Sequence, residues 1–165
     1  MDTRKYKKKD YTPNAFVFRS ETYTITGDPV ALARARHAEH RVYDSQKQLK
    51  LVVGLQFVNQ HGDKQKFSGP VLLDIKFFMA LPQKFPLSLP GSYHPYRPDL
   101  SNLIKWIEDV ATGIIYKDDC IIAQINSQKL YDRNPRTEVT ITSLPSKPCV
   151  IGNLCMKENS DIRKN

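Results

Sequence analysis

Residues Val71 to Met79 alternate in a way that leaves neither face polar. Val71, Leu73, Ile75, Phe77 and Met79 share one face, and Leu72, Asp74, Lys76 and Phe78 share the other. Successive side chains of a strand point to opposite faces, so apolar residues on both suit a central strand with neighbours on each edge. The chain offers partners for it. Phe16 to Ile25 is rich in β-branched and aromatic residues and predicts a strand ending at Gly27-Asp28-Pro29. Cys120 to Lys129 predicts another, with Ile121, Ala123 and Ile125 on one face, and Thr137 to Thr142 a further one. The cover comes from two helices. Asp44 or Ser45 caps the first, which runs to about Asn59; Leu49, Val52, Val53 and Gln56 form one stripe and Leu51, Leu55 and Val58 a second, so its apolar face is wide, and Gly54 weakens it slightly. The second spans roughly 100–112 and stops at Gly113. The expected fold class is α/β: a single compact domain with a mixed sheet packed by two main helices.

The remaining segments fix the boundaries. Residues 1–13 carry Arg4, Lys5, Lys7, Lys8 and Lys9 and read as a basic arm, either a DNA-contacting or targeting element or a solvated tail. Residues 14–145 form the domain, and 146–165 a loosely ordered tail. The His61–Pro70 stretch reads as a polar loop, and residues 80–98 hold five of the eleven prolines (Pro82, Pro86, Pro90, Pro95, Pro98) and read as an extended loop. Lys and Arg outnumber Asp and Glu by 25 to 17, a net charge of +8, which favours a polyanionic partner, nucleic acid first. No run approaches the roughly 18 apolar residues of a membrane span. The N-terminus has no apolar core of a secretory signal, so an intracellular protein of cytoplasm or nucleoid is expected. Three cysteines, Cys120, Cys149 and Cys155, are an odd number without metal-ligand spacing, and predict reduced thiols. His37, His40, His61 and His94 form no convincing ligand set.

The chemistry gathers in Arg97-Pro-Asp-Leu-Ser-Asn-Leu-Ile-Lys105 and Tyr116-Lys-Asp-Asp119. Pro98 disfavours helix just before it, and Asp99 follows at the N-cap position. At about 100° per residue, Leu103, Trp106, Ile107 and Val110 share the core face, and Asn102, Lys105 and Asp109 fall within about 60° of one another beside it. Glu108 is expected to point to water. One reading of these polar residues is structural: Asp99 caps the helix, and Lys105 pairs with Asp109 one turn on. The acidic pair Asp118-Asp119 at a strand entrance fits that reading poorly, because consecutive acids are weak strand formers. Phosphodiester cleavage accounts for them together. It needs an activated water and a stabilised leaving oxygen, which carboxylate-held Mg²⁺ provides. Asp99 and Asp119 would ligate, Asp118 would ligate or orient, Lys105 would offset phosphate charge, and Asn102 would hold a ligand or a water. Asp74 is a further acid within reach of this scheme.

The same segment, with Asp109, Gly113 and Lys117-Asp-Asp119, resembles the signature of RusA-type Holliday junction resolvases: Lys/Arg-Pro-Asp-x-Asp-Asn-Leu-x-Lys, then an Asp, a Gly and Lys-Asp-Asp. Gly27-Asp-Pro29 with Arg34 and Arg36, Tyr43-Asp44 before a helix, and Asn134-Pro-Arg-Thr-Glu-Val139 extend the resemblance over about residues 23–142. It implies Asp99 and Asp119 as metal-binding catalytic acids and Lys105 as a catalytic lysine. It also implies a homodimer, dependence on Mg²⁺ with Mn²⁺ as a substitute, and paired nicks across a branched, four-way DNA junction. In DNA recombination and repair, two symmetric cuts call for two symmetric sites. Arg34, Arg36, Arg41, Arg97 and Lys117 are the expected phosphate contacts. One position departs: the family's second acid is Ser101 here, a weaker, uncharged ligand. That departure motivates a rival, a non-catalytic binder of branched DNA; an enzyme of the same fold acting on flaps or RNA is a third reading. The Tyr93-His-Pro-Tyr96 stretch either stacks on unpaired bases or packs beneath the proline loop.

Overall fold

The computed structural model describes residues 18–33, 36–38, 41–43, 45–82, 84 and 89–145. The basic arm, Arg34 and the C-terminal tail lie outside the described residues. The strands are β1 (Ser20–Thr26), β2 (Arg36–Ala38), β3 (Arg41–Tyr43), β4 (Val71–Ala80), β5 (Ile122–Asp132) and β6 (Arg136–Ser143). The helices are α1 (Lys47–His61) and α2 (Leu100–Ala111), and a single 3-10 turn covers Asp119–Ile121. The main sheet runs β1-β6-β4-β5. β4 pairs antiparallel with β6 and parallel with β5, so the sheet is mixed and the strand expected at its centre lies inside it. No helix among the described residues is long and apolar enough to cross a membrane.

One face of the sheet takes both helices. Leu73, Ile75 and Phe77 of β4, Val139 and Ile141 of β6, and Tyr23 and Ile25 of β1 are buried there against Val53 and Phe57 of α1 and Leu103, Trp106, Ile107 and Val110 of α2. The α2 residues keep the i, i+3, i+4, i+7 spacing of a core-facing stripe. The other sheet face has no described helix over it. Its Ser20–Thr142 and Thr22–Thr140 hydroxyl pairs, each at 2.9 Å, bind neighbouring strands side to side. Asp74 belongs to this second face, opposite Asn126 and Thr140, so the pleat turns it away from α2 and out of the scheme that would join it to Asp99.

Both sheet edges are partly covered from outside. Gln60 of α1 clamps the backbone of β1, accepting from Thr24 N at 2.8 Å and donating to Thr24 O at 2.9 Å, and Gln56 accepts from Thr26 N at 2.9 Å. At the far edge the end of the proline loop pairs with β5: Tyr131 N donates to Ser92 O and His94 N to Lys129 O, both at 2.9 Å. Unpaired edges invite association with other strands, and these contacts cover part of each edge.

Several expectations shift. β1 begins at Ser20, with Phe16 and Val17 outside the described residues, and the paired strands β2 and β3 lie between it and α1. α1 starts at Lys47, not at a cap on Asp44 or Ser45; its N-cap residue is Gln46, whose amide holds Ala31 O and Ala33 N, each at 2.9 Å. β5 begins later than expected because the 3-10 turn takes up Cys120 and Ile121, and a bulge at Ala123 then breaks its alternation: Val71 faces Ile122, and Leu72 faces Gln124. Ile122 and Ile125 therefore share the helix side, where Ile121, Ala123 and Ile125 were expected together. An inserted residue reverses the side-chain phase, which a period-2 pattern cannot register.

The stop after α2 depends on one backbone conformation. Gly113 has φ +82° and donates its N–H to Tyr116 O at 2.7 Å, folding the chain back on the helix. Only glycine occupies this region without strain. Gly113→Ala is expected to lower stability by about 1–2 kcal/mol, read as a lower urea midpoint. An unchanged midpoint would mean the turn relaxes without cost.

Candidate active site

The polar edge of α2 forms where the sequence places it, but its partners differ from the simple structural reading. Asp99 holds the N-cap position with extended backbone (φ −68°, ψ 137°), yet its carboxylate makes no capping hydrogen bond. Its backbone carbonyl begins the helix, accepting from Asn102 N at 3.1 Å and Leu103 N at 3.2 Å. The side chain is exposed. The most ordinary role for an Asp at this position, satisfying an orphan helix donor, is therefore not the one it performs.

Asp109 is also drawn elsewhere. It pairs with Lys50 Nζ of α1 at 3.1 Å and ties the two helices together. Lys105 is exposed one turn earlier, and Asn102 is half-buried beside it. Ser101 is exposed in the first turn of α2.

The second acidic group divides its labour. Asp118 caps the 3-10 turn, its Oδ1 accepting from Cys120 N at 3.0 Å. That backbone bond, foremost among its contacts, holds the Asp118 carboxyl below its ordinary range. Asp119 follows inside the turn and is exposed. Its charge acts on α2. Glu108 has a raised pKa, from burial first and then from the charges of Asp119 and Asp109, with Lys105 pulling the other way. Tyr116 is raised for the same kinds of reason, burial first, then Glu108 and Asp119. Its hydroxyl donates to Glu108 O at 3.3 Å.

Glu108 is thus not the solvent-facing residue expected. The chain returning from Gly113 through Tyr116 to Asp119 covers it and leaves it half-buried. A helical wheel sees only the helix, not the segment that folds back over it. The one available signal was its position three residues after Lys105, the spacing of helix neighbours.

These groups lie along the helix and not around a point. Lys105 follows Asp99 by about 9 Å of helix axis and Glu108 by about 13 Å. Among the described residues, no three His, Cys, Asp or Glu side chains are grouped to hold a metal ion. The donor chemistry nevertheless suits Mg²⁺, which is commonly bound through one or two carboxylates completed by water and substrate phosphate. Asp119 and Asp99 offer exposed carboxylate oxygens, and Asp118 has one oxygen committed to its turn.

Of the expected phosphate contacts, Arg97 and Lys117 are exposed and flank the two acidic groups in sequence. Arg36 and Arg41 lie in the β2–β3 pair, and Arg34 is outside the described residues. Tyr93 and Tyr96 are 74% and 65% exposed, so packing beneath the proline loop falls to His94, whose ring lies 4.6 Å from that of Tyr131.

Comparison with known proteins bears on the same segment. The family model for Endodeoxyribonuclease RusA matches residues 26–142. A Bacillus subtilis (strain 168) relative, the uncharacterized protein YqaN, is 30% identical over 133 residues, covering 72% of this chain and 93% of its own. The crossover junction endodeoxyribonuclease rusA of Lactococcus phage r1t is 34% identical over 76 residues, covering 46% of this chain and 56% of its own length.

Proposed function

The chain belongs to the RusA endodeoxyribonuclease family, and from that premise we propose that it is a Mg²⁺-dependent enzyme resolving four-way DNA junctions as a homodimer. The observation that carries this reading is Asp99: an acid at the head of a helix that leaves the helix uncapped and keeps its carboxylate exposed, on the helix that also bears Lys105. Asp99 and Asp119, assisted by Asp118, would hold the cation, with Mn²⁺ as a substitute. The metal would supply an activated water and stabilise the leaving oxygen. The protein's own part is positional and electrostatic. Lys105 places a fixed positive charge where phosphate charge grows. Asn102, beside it, can hold a water or a ligand oxygen by its amide. Arg97 and Lys117 can contact backbone phosphates next to the acids, and the net charge of +8 favours the approach of DNA.

The homodimer is supported by α1. Leu51, Leu55 and Val58, one stripe of the helix, are 62%, 60% and 46% exposed, a contiguous apolar strip on a folded helix. Isolated exposed apolar residues are ordinary, but a contiguous strip of them marks an association surface.

Incubation with a labelled four-way junction and matched duplex, with and without Mg²⁺ or Mn²⁺, tests the proposal. Paired symmetric nicks in the junction alone, lost with EDTA, are expected. Tight junction binding without cleavage in either metal would instead support a catalytically impaired branched-DNA-binding protein of the same fold, the reading that Ser101 favours. Ser101→Asp separates the two further. It restores a carboxylate at an exposed position, so Mg²⁺-supported nicking is expected to be kept or raised; a clear loss would mean the site is assembled differently from the family signature.

A further inference from the structure

We propose that Lys129 of β5 is the positioning residue of this site, its ammonium holding the Tyr96–Pro98 segment and so fixing where Asp99 stands at the head of α2. The inference rests on the reading of Asp99 as an active-site acid. β5 is the edge strand beneath α2, and its register sets Lys129 beside Phe77 on the helix side of the sheet. From there Lys129 Nζ donates to Pro98 O at 2.6 Å and to Tyr96 O. Both are charge-assisted bonds, the stronger kind, and Nζ is a compact triple donor able to serve two carbonyls at once. Pro98 is the residue before Asp99, and Asp99 O receives the first helical bonds, from Asn102 N and Leu103 N. The ammonium is therefore one residue from the acid and one step from the first turn.

The backbone of β5 reinforces the side chain. Lys129 O accepts from His94 N at 2.9 Å, and Tyr131 N donates to Ser92 O at 2.9 Å. These bonds secure residues 92–94 but stop short of the last residues before Asp99. Over that interval the lysine side chain supplies the hydrogen bonds from the sheet, beside the edge contact of the Tyr96 ring with His94, and the prolines at 95 and 98 have no N–H with which to form another. A carboxylate with no capping bond of its own depends on its backbone for placement. Small displacements of a reacting constellation cost about 100-fold in rate.

Lys129→Met keeps the aliphatic stem and removes the donors; Lys129→Arg keeps charge and donors. In the full-length chain, hydrogen exchange is expected to quicken about tenfold or more over residues 96–103 in Lys129→Met, with α1 unchanged and the arginine variant close to wild type. This arm requires no activity. In Mg²⁺ with a four-way junction, Lys129→Met is expected to lower kcat about 10- to 100-fold with KM unchanged, and arginine to recover most of it. Unchanged exchange at 96–103 would overturn the proposal, as would quickened exchange with kcat intact. A raised KM with normal kcat would also overturn it, making Lys129 a DNA contact. A wild-type protein that binds junctions but makes no cut would sink the enzymatic reading, while the exchange measurement would still decide whether Lys129 holds the head of α2.

Discussion

Asp119→Asn is expected to reduce junction cleavage by about 100-fold or more, since even outer-shell partners of a metal site cost up to about that much. Junction binding should be kept or tightened. The fold has little reason to suffer: the cap of the 3-10 turn is Asp118, and asparagine has nearly the shape of the acid it replaces. Binding should not weaken because an exposed carboxylate facing phosphate repels it, and the amide does not. The variant has a second readout. Asp119 is one of the charges that raise the pKa of Glu108, so its removal should lower the Glu108 midpoint while the larger contribution from burial remains. Carboxyl-carbon NMR titration reads this directly. Retained cleavage would remove Asp119 from the site, and an unmoved Glu108 midpoint would show that the two carboxylates do not sense each other.

The second large effect is expected at α1. Leu51→Glu with Leu55→Glu should weaken self-association about 100-fold and abolish paired nicking. Burying a leucine contributes about 1.5–3 kcal/mol, and these two are 62% and 60% exposed in the single chain, so most of that contribution is open to a partner. Both side chains stand in water in one copy, so the protomer should keep its circular dichroism spectrum. Sedimentation across a concentration series measures the association. A variant that stays dimeric would move the interface elsewhere on the molecule; a monomeric wild type that still makes paired nicks would remove the need for one.

Much of the scaffold was legible because it rests on short-range periodicity. β4 and β6 fell close to where alternation put them, and the buried stripe of α2 is the one its spacing predicts. Legibility ended where a distant segment supplied the contact. The wide apolar face of α1 gave no sign that Val53 and Phe57 would be buried while Leu51 and Leu55 remained exposed; the sheet covers one arc and nothing described covers the other. Asp99 was readable as a helix-entrance acid, but its lack of a capping bond was not. Glu108 is half-buried, not solvent-facing, because Tyr116 and Asp119 fold over it, and the pairing of Asp109 with Lys50 depends on another helix.

What the sequence alone determined is therefore local: which segments alternate at period 2 or 3.6, where Gly113 ends a helix, and which acids, amide and lysine share the edge of α2. Backbone geometry sets these relations within a few residues, so their order in the chain suffices. The tertiary structure decided what depends on contacts between residues far apart in sequence. It turned Asp74 to the opposite face, shifted β5 by a bulge, buried Glu108 beside Asp119, and brought Lys129 against the carbonyl before Asp99. Those contacts span about thirty residues in the case of Lys129 and Pro98, and only the packing of β5 beneath α2 closes that distance.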